Sequence, residues 1–232
     1  MSQIYNFFPL SIFRNKINLS EDVKNKMINE IKNMKNLSSN NKLEINKASW
    51  TGDMNGHEYL YKNDKFDMFF SQVEKNIKEY LSKFELDLDQ VDIYFQRAWA
   101  TFSGINQNIF SHFHAQSHLS FAYYLKKNKE DSNLILIDKH KHNEFIPLVF
   151  TSQSVDERKL FNKRNIMNVA KIKIDAEEDD IIIFPSKTIH ATEENKNNNE
   201  RISISADITI VAKNADNLEY LMPPLSEWKK FS

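Results

Sequence analysis

From residue 91 onward the apolar residues of this chain change period. Before that point they recur three and four apart, as on a helix; after it they alternate. The run Val91-Asp92-Ile93-Tyr94-Phe95-Gln96-Arg97-Ala98-Trp99 puts apolar and polar side chains on opposite faces of a half-buried strand. Similar runs predict strands at 109–114, 118–126, 133–138, 145–151, 169–174, 180–184 and 201–212. A series of short strands after two helices points to a mainly β fold with flanking α-helices. Its expected core is an antiparallel double sheet or jelly roll with the helices on one face.

The part before residue 91 reads as support. Ile4 to Phe13 is apolar but contains Pro9, which restricts it to an edge strand or a strand end. Ser20 is a suitable N-cap, Glu21 and Asp22 suit a helix N-terminus, and Val23, Met27, Ile31 and Met34 share one face. That helix is expected to stop near Leu37, before the polar run Ser38-Ser39-Asn40-Asn41. Residues 47–63 read as loop. A second helix is expected from Asp64 to Phe84, with Phe66, Phe69, Phe70, Val73, Ile77, Tyr80, Leu81 and Phe84 as its packing face. Residues 151–168 read as a mobile loop or short helix with the properties of a lid or surface insertion, 193–200 as a polar hairpin loop, and 213–232 as an irregular tail. One domain over residues 1–232 is expected, with 1–90 as helical support, 91–212 as β core and 213–232 as C-terminal tail.

Composition removes several chemistries. With no cysteine among 232 residues, disulfide scaffolds, Cys-ligated zinc, iron–sulfur clusters and Cys nucleophiles are excluded. Three glycines leave almost no room for a Gly-rich phosphate loop. A net charge of -1, from 31 basic and 32 acidic residues, offers no footprint for a nucleic-acid backbone. No apolar run approaches the ~20 residues of a membrane span, and the N-terminus lacks the pattern of a signal peptide. The expected location is the cytoplasm.

Histidine placement carries the chemistry. On a strand, His112 and His114 would present two imidazoles on one face with Phe113 on the other. Such a pair is a weak metal signal alone. A third ligand is available at His190, which follows the apolar run Asp180–Phe184 and a turn at Pro185. Three ligands on one side of a metal leave positions open for substrate, cosubstrate or oxygen. Eleven residues on, Arg201, Ser203 and Ser205 share a strand face opposite Ile202 and Ile204. A guanidinium fork beside hydroxyls on a barrel wall suits a carboxylate.

Taken in order, Trp99, His112-Phe113-His114, Ser120, Tyr123-Tyr124-Leu125, Phe184-Pro185, His190 and Arg201-Ile202-Ser203-Ile204-Ser205 resemble the Fe(II)/2-oxoglutarate-dependent oxygenases. More narrowly, they resemble the putative 2OG-Fe(II) oxygenase family of bacteria and tailed phages. It implies a double-stranded β-helix, a cupin-like jelly roll with Fe(II) at one mouth. It also implies His112, His114 and His190 as metal ligands, with no catalytic residue beyond them. Arg201, helped by Ser203, would take the distal carboxylate of 2-oxoglutarate, and Tyr123, or alternatively Tyr124, would line its pocket. Trp99 and Ser205 are further candidates for the site. The implied reaction consumes O2 and 2-oxoglutarate, gives succinate and carbon dioxide, and hydroxylates a small-molecule or peptidyl substrate. A homodimer is the default assembly.

The chain departs from the wider superfamily at the third ligand. Position 114 is His where a carboxylate is usual, and no Asp or Glu lies between Ser103 and Leu125. Gln116 is an alternative ligand. Three rival readings stay open: a 2-oxoglutarate-dependent halogenase, disfavoured by the size of His114; a three-histidine cupin-like dioxygenase, disfavoured by Arg201 and Ser203; and a non-catalytic barrel that binds without reacting.

Overall fold

The computed structural model describes residues 2–37, 48–52, 56–214, 216–217 and 219–231. The polar stretch 38–41, expected to stop the first helix, lies outside them. In chain order the elements are β1 (Phe13–Lys16), α1 (Glu21–Leu37), β2 (Ser49–Trp50), α2 (Asp67–Ser82), β3 (Val91–Ser103), β4 (Leu119–Lys126), β5 (Leu134–Ile137), α3 (Gln153–Glu157), β6 (Lys171–Ile174), β7 (Asp180–Pro185), β8 (Ile189–Thr192) and β9 (Arg201–Ala212). A six-stranded sheet has the order β1-β7-β4-β9-β3-β2, and a three-stranded sheet the order β6-β5-β8. Every pairing between these strands is antiparallel. This is a jelly-roll core with helices packed on the larger sheet.

Local chemistry explains the helices. The Ser20 hydroxyl accepts from the Val23 amide at 3.4 Å, and Met27 and Ile31 are fully buried one turn apart. On α2, Phe69, Phe70, Val73, Ile77, Tyr80 and Leu81 are buried on one face. They meet the sheet through Phe69, whose ring centroid lies 4.7 Å from that of Tyr123 and 6.3 Å from that of Phe121. Each such side chain contributes roughly 1.5–3 kcal/mol by leaving water. Phe84 lies beyond the helix and is 56% exposed, because the chain turns at Glu85 in a left-handed conformation (φ 57°).

The larger sheet has two unlike faces. Toward the helices it presents Ala98, Ala100 and Phe102 of β3, Phe121 and Tyr123 of β4, Ile181 and Ile183 of β7, and Ile202, Ile204, Ala206 and Ile208 of β9. The opposite face looks across to the smaller sheet. A bulge in β3 sets which residues face which way. Phe95 pairs with Ile208 and Arg97 with Asp207, so Gln96 is an extra residue. Phe95 packs against the helix-side core, and without the bulge Arg97 would join it; the extra residue turns Arg97 to the other face.

Five expectations fail. Residues 47–63, expected as loop, contain β2 and a 3-10 turn at Leu60–Lys62. The strand expected over Ile4 to Phe13 begins only at Phe13; Ile4, Tyr5, Phe7, Phe8 and Leu10 are exposed and unpaired in any sheet. Phe8 has φ 56°, which breaks an extended run. Residues 109–114 form no strand, since they carry one more residue than the β8 backbone they run beside: Ile109 pairs with Thr192, but His112 pairs with His190. Residues 145–151 form turns around a small cluster of Val149, Phe150 and Ala170 instead of a strand. Residues 193–200 are not a hairpin loop, because β8 and β9 belong to different sheets and the segment crosses between them.

Candidate metal centre

Between the two sheets lies a cavity of about 400 Å³. β3, β4 and β9 supply one wall and β5 and β8 the other, with the irregular segment 108–116 across its mouth. His112, His114 and His190 sit together at this mouth. One nitrogen from each lies within 4.8 Å of the others, and no other group of three or more such residues occurs among the described residues.

The backbone brings them together. His112 and His190 exchange both backbone hydrogen bonds, at 3.0 and 2.9 Å, and the His114 amide donates to the Ser186 carbonyl at 3.0 Å. The pairing of His112 is therefore a single bridge to β8, not part of a continuous strand. Each ring is then turned by its Nδ1. That of His112 bonds the Phe110 carbonyl at 2.8 Å, that of His190 the Thr188 carbonyl at 2.8 Å, and that of His114 the Asp207 carboxylate at 2.5 Å. With Nδ1 engaged as donor on all three, Nε2 is the nitrogen left with a lone pair to offer. Burial, reinforced by the neighbouring imidazoles, pushes His190 down to about 3 and also lowers His112. Neutral imidazole is the form that binds a metal.

Asp207 is the residue that sequence reasoning missed. It is fully buried, with a hydrogen-bond partner on each side. Oδ1 accepts from His114 and from the Ser117 hydroxyl at 3.3 Å; Oδ2 accepts from Arg97 Nη2 at 2.9 Å, Arg97 Nε at 3.1 Å and Gln116 Nε2 at 2.9 Å. Burial works against its charge, but the His114 and Arg97 hydrogen bonds outweigh it and hold the carboxyl below the usual range. A signal existed: Arg201, Ser203, Ser205 and Asp207 are spaced by two, so the polar face of β9 carries a carboxylate two residues past Ser205. Gln116, expected as an alternative ligand, has its side-chain amide on Asp207 at 2.9 Å, and its backbone carbonyl accepts from Gln96 Nε2 at 3.0 Å. Trp99 stacks on His114, with ring centroids 5.6 Å apart and planes at 17°.

The inner end of the cavity is built around Arg201, which is 1% exposed. Its Nη1 donates to the Ser132 carbonyl at 2.7 Å and its Nη2 to the Ser103 hydroxyl at 3.0 Å, while buried Nε has no partner. Among the described residues no carboxylate lies within ion-pair distance of it. A guanidinium held this way costs several kcal/mol unless an anion joins it. Ser203 and Ser205 line the same cavity, as does Tyr124, whose ring centre is 5.7 Å from the guanidinium. Tyr123, the expected lining residue, points the other way. Its hydroxyl donates to Asp179 at 2.9 Å and its ring packs on Phe69, because neighbouring residues of a strand face opposite sides.

The other histidines stand apart. His118 Nδ1 accepts from the Ile210 amide at 3.0 Å, and His140 and His142 stack in an exposed turn with ring centroids 5.4 Å apart. The segment 151–168 contains α3 and lines no part of the cavity; within it Arg164 bonds Asp156 and the Asn168 carbonyl, and it reaches out to the Val149 carbonyl.

Residues 97–207, just under half of the chain, match the family described as putative 2OG-Fe(II) oxygenase. No curated protein matches the chain in sequence. Several solved structures share the fold. The non-heme alpha ketoglutarate dependent epimerase SnoN from nogalamycin biosynthesis aligns over 96% of this chain and 89% of its own, at 10% identity and TM-score 0.57. A Pseudomonas putida prolyl-4-hydroxylase aligns over 86% and 93%, at 11% identity and TM-score 0.51. HygX from Streptomyces hygroscopicus, solved with nickel and 2-oxoglutarate bound, aligns over 86% and 83%, at 8% identity and TM-score 0.50. Against an oxidoreductase of the 2OG-Fe(II) oxygenase family from Burkholderia pseudomallei, this chain spans 46% of that chain's length. At these identities the likeness is one of fold.

Proposed function

We propose that this chain, whose β core matches the putative 2OG-Fe(II) oxygenase family, is an Fe(II)- and 2-oxoglutarate-dependent oxygenase that hydroxylates a small-molecule or peptidyl substrate. The observation that carries this reading is the pairing of two features in one cavity. Three imidazoles converge at its mouth, and a buried guanidinium with no carboxylate in ion-pair distance among the described residues closes its inner end. The donor set fits Fe(II), and the orphaned Arg201 Nε fits a carboxylate.

His112, His114 and His190 would hold the metal through Nε2. Arg201 would bind the distal carboxylate of 2-oxoglutarate, with Ser203 beside it and Tyr124 forming the adjoining wall. Iron and 2-oxoglutarate together supply the activation of O2, with 2-oxoglutarate oxidised to succinate and carbon dioxide while a substrate C–H becomes C–OH. The protein's work is orientation and exclusion of water. The apolar walls at Leu134 and Phe184 keep the cosubstrate end dry, and Trp99 keeps the His114 ring in plane. Trp50 and Trp99 flank the open side, where substrate would enter. No helix among the described residues is long and apolar enough to cross a membrane. A cytoplasmic location suits chemistry that needs reduced iron and 2-oxoglutarate together. A single oxygenase domain, with residues 1–90 as support, and a homodimeric assembly complete the reading.

Anaerobic titration of metal-free protein with Fe(II) and then 2-oxoglutarate tests it. The expected result is a visible metal-to-ligand charge-transfer band that is lost in His190→Ala and Arg201→Ala. Iron binding without the band would favour a three-histidine cupin-like dioxygenase, and no iron binding would leave the histidines structural.

A further inference from the structure

We propose that Asp207 is the positioning residue of the metal centre, holding His114 as a ligand in the place where a carboxylate would otherwise bind the metal directly. The inference rests on the oxygenase reading above. His112 and His190 have their rings turned by the backbone carbonyl two residues earlier, at 2.8 Å in both cases. His114 has a side-chain carboxylate instead, brought from the far strand β9. A charged acceptor forms a stronger hydrogen bond than a carbonyl and makes the opposite ring nitrogen a better donor to a metal.

The surroundings of Asp207 fix its carboxylate. Three N–H groups, two from Arg97 and one from Gln116, occupy Oδ2 and prevent the carboxylate from rotating. Oδ1 is thereby left for His114 and Ser117. Arg97 reaches this place only because the β3 bulge turns it to the cavity face. Packing alone does not explain a fully buried acid here, since its strand neighbours Ala206 and Ile208 fill the helix-side core without it. Trp99 holds the other side of the His114 ring, so the imidazole is fixed both in plane and in tautomer.

The experiment compares wild type with Asp207→Asn, which keeps the shape and one oxygen acceptor but removes the charge. Anaerobic competition of Fe(II) against a chromogenic chelator should show affinity lower by about 10–100-fold in the variant. The charge-transfer band with 2-oxoglutarate should also move in wavelength. Equal affinity and an unmoved band would overturn the proposal. Wild type that binds no Fe(II) would overturn the oxygenase reading first, and is distinguishable because the variant then shows no difference to explain. If Asp207→Asn does not fold, proton NMR of the Zn(II)-loaded wild type decides. A far-downfield, exchange-protected Nδ1–H that disappears in His114→Ala supports the proposal, and its absence overturns it.

Discussion

The two faces of the six-stranded sheet are made from alternate residues of the same strands, yet they obey opposite rules. The helix-side face is apolar and closely packed: Tyr123 there lies against Phe69, and its hydroxyl is satisfied by Asp179. The cavity face, one residue away at Tyr124, holds Arg201 with a bare Nε and looks across to three histidines supplied by β8 and the segment 108–116. One face maximises burial. The other keeps polar groups buried without full satisfaction, which is costly for stability unless a ligand supplies the missing partner.

The sharpest way to break this comparison is a pair of truncations. Phe69→Ala on the helix side should lower the unfolding free energy by about 3–5 kcal/mol in urea denaturation. Arg201→Met on the cavity side should leave it within about 1 kcal/mol of wild type or raise it, because a buried charge without an ion-pair partner is replaced by apolar atoms. The same variant should lose 2-oxoglutarate binding. Equal destabilisation by both would mean that the faces do not differ in kind.

A second contrast is in pH. In the metal-free protein His190 is held at about 3 against an ordinary 6.5, so between those values the unfolded chain binds more protons. Stability is full above the ordinary value and falls as pH drops toward 3, by about 1.4 kcal/mol per pH unit for one such group. On the helix side the signs reverse. Lys24 is raised despite the opposing cost of burial, through contacts with Glu178, Glu21 and Asp179, and Tyr123 is raised by burial and Asp179. The unfolded chain releases those protons first, so stability is full below about pH 10 and falls as pH rises beyond it. Urea midpoints at about pH 4, 7 and 11 check this; a midpoint at pH 4 equal to that at pH 7 would contradict the acid limb.

The smallest effect separates adjacent tyrosines. Tyr123→Phe should cost about 1 kcal/mol by leaving Asp179 Oδ1 without its donor, with 2-oxoglutarate affinity unchanged. Tyr124→Phe should cost a similar amount, because the Leu134 backbone loses its hydroxyl partner, but it should also change 2-oxoglutarate affinity severalfold. Isothermal titration and thermal melts of both variants suffice, and an exchange of the two outcomes would return the cosubstrate pocket to Tyr123.

Much of the site was legible because β-strand side chains alternate. Arg201, Ser203 and Ser205 could be placed on one face of β9, opposite Ile202 and Ile204, from spacing alone. The same spacing extends to Asp207, a step that the sequence reading did not take. The helices were legible for a similar reason: Met27 and Ile31, or Phe69, Val73 and Ile77, recur at helical spacing and need only a core to bury against. The histidines were legible as a set but not as a geometry, since the segment 109–114 that carries His112 and His114 makes a single bridge and not a strand.

What the amino-acid order determined, then, is relative placement within each element: which side chains share a helix stripe or a strand face. It also determined the chemistry available, with no thiol, few glycines and seven histidines. Tertiary structure decided the absolute placement. Alternation says that Tyr123 and Tyr124 face opposite ways but not which one meets the helices. The β3 bulge at Gln96 changes the phase partway along a strand, and only pairing with β9 reveals it. The partner of His114 lies 93 residues away in the chain. Local periodicity is a property of the backbone itself, whereas contacts of that separation exist only once the sheet has closed.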